Sequence, residues 1–160
     1  MRVHCGLPNN DLPGVPELIA AIERAGYDGV SVAENAHNPF LPLAVAAVHS
    51  ERIQLATGVA IAFPRSPMMT ANLGWDLQAA SHGRFVLGLG SQVKAHNERR
   101  FATPWTAPVP RMRDYIGAVR AIWHTWATGE PLRYESDHYT ISLMTPNFTP
   151  ARLDCPPPPI

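Results

Sequence analysis

Short apolar runs alternate along the chain with stretches in which apolar residues recur every three or four positions, the pattern of strands alternating with amphipathic helices. Arg2–Leu7 reads as a first strand. Val15–Ala25 reads as a helix with Leu18, Ile19, Ile22 and Ala25 on one face and Gly26 as its stop. Gly29–Ala33 is a second strand, and Leu41–Ser50 a second helix whose first turn tolerates Pro42. Ile53–Ala62 is a third strand, followed by a helix over Ser66–Ser81 with Met69, Leu73, Leu77 and Ala80 in register. Arg84–Leu89 is a continuous apolar fourth strand, as expected for burial on both faces. In Arg111–Thr128 the residues Met112, Tyr115, Ile116, Val119, Ile122, Trp123 and Trp126 make one apolar stripe, and Gly129 closes the helix. Those aromatics read as core. Beyond Pro131 there is one alternating piece, His138–Leu143, and then proline dominates. The run Pro156–Pro159 is extended and supplies no ladder donors, which reads as a surface connection.

Strands that start near residues 2, 29, 53 and 84 with helices between them predict an α/β fold with parallel strands and right-handed crossovers. An open doubly wound sheet and part of a (β/α)8 barrel both fit. A whole barrel needs about 250 residues, so four strand–helix units would be half of one. Residues 1–130 hold those units, and residues 131–160 form the proline-rich connection.

The 160 residues carry 13 basic and 13 acidic side chains and no basic stripe, which argues against nucleic acid or an anionic membrane as partner. Cys5 and Cys155 are the only cysteines, too few for a disulfide framework or a cysteine-rich zinc site. His4, His49, His82, His124 and His138 share no ligand spacing, so no metal is expected. The absence of a basic-then-apolar leader and of a long apolar run leads to the expectation of a cytoplasmic protein.

In both architectures ligands bind at the carboxyl ends of the strands, here Gly6–Asn10, Glu34–Asn38, Thr57–Phe63 and Gly90–Asn97. Glu34, Asn35 and His37 suit contacts to a heterocycle's edge or a proton shuttle, while Asn38 before Pro39 also fits a helix cap. Gly58 within an apolar strand marks either a close backbone approach to a ligand or a kink needed for packing. Gly88-Leu89-Gly90 lacks the third glycine of a dinucleotide fingerprint and follows the wrong strand. Its loop amides and the Ser91 hydroxyl still suit a ligand. Lys94, His96 and Asn97 are placed in the loop beyond, as substrate or phosphate contacts or as a solvated surface.

Several stretches together carry a family resemblance. Gly26-Tyr27-Asp28-Gly29-Val30, Ala33-Glu34, Asn38-Pro39-Phe40-Leu41-Pro42-Leu43 and Arg52-Ile53-Gln54-Leu55-Ala56-Thr57-Gly58-Val59 resemble the opening of bacterial-luciferase-like barrels. Ser81-His82-Gly83-Arg84-Phe85-Val86-Leu87-Gly88-Leu89-Gly90 is the most specific piece. With Gln92-Val93-Lys94-Ala95-His96-Asn97-Glu98-Arg99-Arg100-Phe101 it resembles the subgroup of oxidoreductases that use the deazaflavin coenzyme F420.

The resemblance implies a (β/α)8 TIM-type barrel, of which this chain holds the first four units, with F420, or alternatively FMN, at its C-terminal mouth. It implies cofactor contacts from Glu34, Asn35, Thr57, Gly58, Val59, Ser91 and Gln92, with a bulge and a non-prolyl cis peptide at Gly58-Val59. The implied chemistry is hydride transfer between the deazaflavin and a small organic substrate, with the cofactor supplying reactivity and the protein orientation. Lys94 and His96 are candidate substrate contacts. Many relatives have histidine where Asn35 stands, which leaves the proton donor open, with His37 and His96 as candidates. The second function class is a non-catalytic fragment of such an enzyme. For that case the expectation is exposed edges on the first and fourth strands and self-association. The inner faces of Val3, Val30, Val32, Leu55 and Leu87 are then expected to be left open.

Overall fold

The computed structural model describes residues 1–8 and 11–160, so Asn9 and Asn10 of the first candidate loop lie outside the described residues. Contacts divide the chain into two compact units. The first comprises Met1–Ala60, Leu73–Gly90 and Asp154–Ile160; the second comprises Ile61–Asn72 and Ser91–Leu153.

In the first unit, strands β1 (His4–Gly6), β2 (Gly29–Val32), β3 (Gln54–Thr57) and β5 (Phe85–Val86) form a parallel sheet in that order. The register pairs Cys5 with Val30, Val30 with Leu55, and Leu55 with Phe85. Helices α1 (Val15–Arg24) and α2 (Phe40–Val48) are the first two crossovers. Two of the long strands expected from sequence are each interrupted. After β3 the Gly58–Val59 peptide is cis, and the chain resumes as β4 (Ala60–Ile61). After β5 it resumes as β6 (Leu89–Gly90), which pairs with β4.

Side chains alternate across a sheet, and this alternation corrects one expectation. Val30, Val32, Leu55 and Leu87 are all fully buried on the helix-covered side, not on an open inner face; only Val3 is exposed. The opposite face carries the intervening residues Ser31, Gln54, Ala56 and Val86, all half-buried. That face is mixed, two polar and two apolar residues each half-buried, and not a large open apolar surface.

The proline run also departs from the surface connection expected. Leu87 donates its backbone N–H to the Pro159 carbonyl at 2.9 Å, and Pro158 is buried. The buried Gln78 amide accepts from Phe85 N–H at 3.1 Å and donates to the Pro156 carbonyl at 2.8 Å. Prolines lack N–H groups but keep their carbonyls, so Pro159 pairs the Leu87 N–H while Gln78, itself held by Pro156, pairs that of Phe85. That edge is therefore not bare.

The Ser-His-Gly-Arg motif is explained at the other end of the sheet. Helix α3 (Pro67–Ala80) ends in a turn with His82 at φ 51° and Gly83 at φ 86°. The turn delivers Arg84, whose guanidinium donates to the carbonyls of Ser81, Ile53, Ser50 and Ala47 and to Ser50 Oγ, at 2.8–3.1 Å. Nearby, Glu23 Oε1 accepts the N–H groups of Arg52, Ile53 and Glu51 at 2.8, 2.9 and 3.2 Å. Partial burial raises this carboxyl's pKa, but the three N–H bonds and the Arg52 charge outweigh it and hold the group below its usual 4.5. A depressed folded-state value contributes stability above the unfolded pKa that is lost as pH falls through the folded one. Glu23→Gln is therefore expected to flatten the fall in unfolding midpoint below about pH 4.5, measured by urea denaturation across pH. An unchanged acid limb would show that Glu23 does not contribute.

The second unit is built on α5 (Pro108–Thr128), which starts earlier than the apolar stripe because Pro108 and Pro110 fit a first helical turn. Gly129 at φ 84° ends it. Of the stripe, Tyr115, Val119, Ile122, Trp123 and Trp126 are buried, while Met112 and Ile116 are half-buried. Tyr115 Oη hydrogen-bonds Thr70 Oγ1, and burial pushes its pKa well above the usual range. Trp123 Nε1 donates to the Ala71 carbonyl at 3.0 Å. The hairpin of β7 (Tyr134–Glu135) and β8 (Thr140–Ile141) is tied to α5 by Tyr134 Oη to the Asp114 carbonyl at 2.8 Å and by His138 Nδ1 to Asp114 Oδ2 at 2.6 Å. Among the described residues no helix is long and apolar enough to cross a membrane.

Candidate functional site

At the carboxyl ends of β2 and β3, the backbone brings several of the expected residues together. Gly58 N–H donates to the Val32 carbonyl at 2.8 Å, and Glu34 N–H to the Val59 carbonyl at 3.3 Å. A Cβ added at Gly58 would lie 3.0 Å from Ser31 Cβ, so glycine allows the strands to close here. The result is a ledge on which Val59 stands 44% exposed, an apolar side chain at a polar strand end. Glu34 is half-buried and Asn35 exposed beside it in sequence.

The Thr57 side chain is engaged within the sheet. It is 2% exposed, and its hydroxyl donates to the Gly88 carbonyl at 2.7 Å. Its side chain lies on the helix-covered side with Leu55, so its hydroxyl braces β3 against the fourth strand. Asn38 lies one residue ahead of the N-cap, Pro39, and its Oδ1 accepts Phe40 N–H at 2.9 Å at the start of α2. His37 is exposed beyond the strand end.

In the second unit, Ser91 and Gln92 form a turn with Gln92 at φ 57°. Ser91 Oγ donates to the Gln92 carbonyl at 3.2 Å, and Gln92 Oε1 accepts Val93 N–H at 2.9 Å. The segment expected as a loop is helix α4 (Lys94–Arg100). Sequence reasoning missed it because its one buried residue, Asn97, is polar, so no apolar stripe marks it. Lys94 faces solvent and pairs at 3.9 Å with Glu98 one turn on, and His96 is exposed. Such an exposed i,i+4 pair contributes about 0.3–0.5 kcal/mol, a solvated helix face in energetic terms. Among the described residues no three metal-ligating side chains are grouped.

A profile of the luciferase-like monooxygenase family matches residues 2–160, and the chain belongs to that family. An uncharacterised protein of Mycobacterium tuberculosis is 50% identical over 141 residues, covering 88% of this chain and 42% of that protein. A second M. tuberculosis protein, provisionally named a coenzyme F420-dependent oxidoreductase, is 32% identical over 152 residues, covering 88% of this chain and 43% of that protein. The chain thus spans less than half the length of these relatives. Among solved structures, a monooxygenase from Streptomyces bottropensis superposes with TM-score 0.81 at 19% identity, covering 99% of this chain and 52% of that one. The coenzyme F420-dependent tetrahydromethanopterin reductase of Methanopyrus kandleri gives TM-score 0.71 at 20% identity, covering 96% and 46%. The oxygenating component of 3,6-diketocamphane monooxygenase from Pseudomonas putida, in complex with FMN, gives 0.75 at 17%, covering 95% and 47%. These likenesses show the fold, an α/β parallel sheet of the luciferase-like barrel type.

Proposed function

We propose that this chain is the first half of a (β/α)8 barrel oxidoreductase that transfers hydride between coenzyme F420 and a small organic substrate. The observation that carries the reading is the ledge at Gly58–Val59. The resemblance implies that this strand end backs a ring system, and here the Val32 carbonyl accepts Gly58 N–H, the Val59 carbonyl accepts Glu34 N–H, and the apolar Val59 side chain stands partly exposed between them. The 32%-identical relative named for F420 supports the deazaflavin over FMN. The coenzyme, when bound, supplies the hydride chemistry. In the first unit Glu34, Asn35, Gly58 and Val59 are the residues that would hold the ring. Val59 offers an apolar surface to a planar face, and Glu34 and Asn35 offer polar atoms to its edge. In the second unit Ser91 and Gln92 are the residues assigned to the cofactor. Asn35 orients by hydrogen bonding and holds no exchangeable acid proton near neutral pH.

The test joins this chain to the C-terminal half of the 50%-identical relative, completing the barrel, and titrates F420 and FMN by fluorescence. F420 is expected to bind at micromolar concentration or tighter. Val59→Asp is expected to weaken that binding at least tenfold while moving the melting temperature by only a few degrees, because at 44% exposure the carboxylate can remain in contact with water. A folded barrel that binds neither coenzyme overturns the reading. One that binds FMN alone replaces it with the flavin monooxygenase reading.

A further inference from the structure

We infer that Asn97 is the positioning residue of the Ser91–Val93 turn. The consequence for cofactor binding rests on the assignment of Ser91 and Gln92 above, but the inference about the turn does not. Asn97 is completely buried, and its Nδ2 donates to two carbonyls at once, Ser91 O at 2.9 Å and Val93 O at 3.1 Å. The Val93 carbonyl already accepts the N–H groups of His96 and Asn97 at 3.1 Å, as at any helix start, so it does not need the side chain. The Ser91 carbonyl is a different matter, because the Asn97 amide ties it to the helix across a turn that contains a left-handed, non-glycine residue, Gln92. A side chain in that backbone region is held there only when its surroundings over-determine it. Gln92 Oε1 on Val93 N–H supplies one constraint and the Asn97 amide the other.

The second observation is the other end of the same amide. Asn97 Oδ1 is buried with no hydrogen-bond partner among the described residues. A buried acceptor left unpaired is costly, and an apolar side chain of equal size avoids that cost. Asparagine is therefore the poorer choice for filling space and the better one for holding two carbonyls. The position trades stability for the shape of the turn, and the trade can be read in an experiment.

Two variants separate the roles. Asn97→Leu removes both donors and the orphaned acceptor together; Asn97→Asp keeps the shape and removes the donors. Each is made in the full chain, and amide exchange is followed together with thermal melting. For Asn97→Leu the expected result is an equal or higher melting temperature with at least tenfold faster exchange at Val93 and His96. Asn97→Asp is expected to show the same local loosening at a lower melting temperature. Unchanged exchange at Val93 and His96 in Asn97→Leu overturns the inference, since the residue would then only fill space. Faster exchange throughout the unit with a lower melting temperature also overturns it, by making Asn97 an ordinary core residue. Coenzyme titration in the completed barrel then tests the reading beneath it. At least fivefold weaker F420 binding in Asn97→Leu supports both. A loosened turn with unchanged affinity upholds the positioning role and removes Ser91 and Gln92 from the cofactor contacts.

Discussion

Replacing Arg84 by methionine is expected to lower the unfolding free energy by about 3 kcal/mol, a fall of about 10 °C in melting temperature for a chain of this size. The guanidinium serves four carbonyls and a hydroxyl from three separate segments: the end of α2, the start of β3 and the end of α3. Methionine keeps much of the aliphatic stem and removes every donor, which leaves partly buried carbonyls with nothing to accept. Arg84→Lys is expected to recover little, because three donors radiating from one nitrogen do not reproduce a planar fork. Burial lowers the Arg84 pKa and the Glu23 carboxylate acts against that, so the charge persists across the working range. Thermal and urea unfolding of the two variants decide the matter. A loss below about 1 kcal/mol in Arg84→Met would mean that water replaces the clamp adequately.

Gly88→Ala is expected to be at least as damaging, costing more than about 3 kcal/mol or abolishing the folded state. A Cβ at Gly88 would lie 2.0 Å from the Thr57 carbonyl oxygen, and a backbone atom cannot swing aside as a side chain can. Forcing them apart also breaks the bonds that Thr57 Oγ1 and Ala60 N–H donate to the Gly88 carbonyl, at 2.7 and 2.8 Å. The interruption of the third strand, with the ledge that carries Val59, is built on those bonds. Two other glycines serve as controls. At Gly29 an added Cβ meets only the His4 ring, a movable side chain, and at Gly6 it meets nothing within 4 Å. Gly6→Ala is therefore expected to fall within about 0.5 kcal/mol of the parent, with Gly29→Ala between the extremes. Urea midpoints for the three variants give the ranking. If Gly88→Ala matches Gly6→Ala, the close approach of the two strands is not a feature of the protein in solution.

The first four residues of the stretch that marks the family most specifically, Ser81-His82-Gly83-Arg84, stand at the opposite end of the sheet from the ledge at Gly58–Val59. These residues make a left-handed turn and a clamp on three carbonyl-rich segment ends. Resemblance carried by such a stretch speaks for the fold. For function the informative residues are the less distinctive ones at the carboxyl ends of the strands.

The order of elements, the parallel strands and the core stripe of α5 follow from local pattern alone. Each rests on a period of two or 3.6 residues and on stop signals such as Gly26 and Gly129, which act within a few positions in the chain. Tertiary structure decided what depends on a partner distant in sequence. Nothing local to Pro156–Pro159 shows that its carbonyls meet Gln78 and Leu87. Nothing local to Thr57 shows that its hydroxyl is taken by the Gly88 carbonyl, 31 residues on. Which face of the sheet is covered was equally beyond local reading: alternation separates Val30 from Ser31 and Leu55 from Ala56, but only packed helices determine which set is buried. Asn97 is the clearest case. A polar residue in a charged, apparently solvated stretch becomes the buried anchor of a strained turn, because burial is a property of the folded neighbourhood and not of the residue.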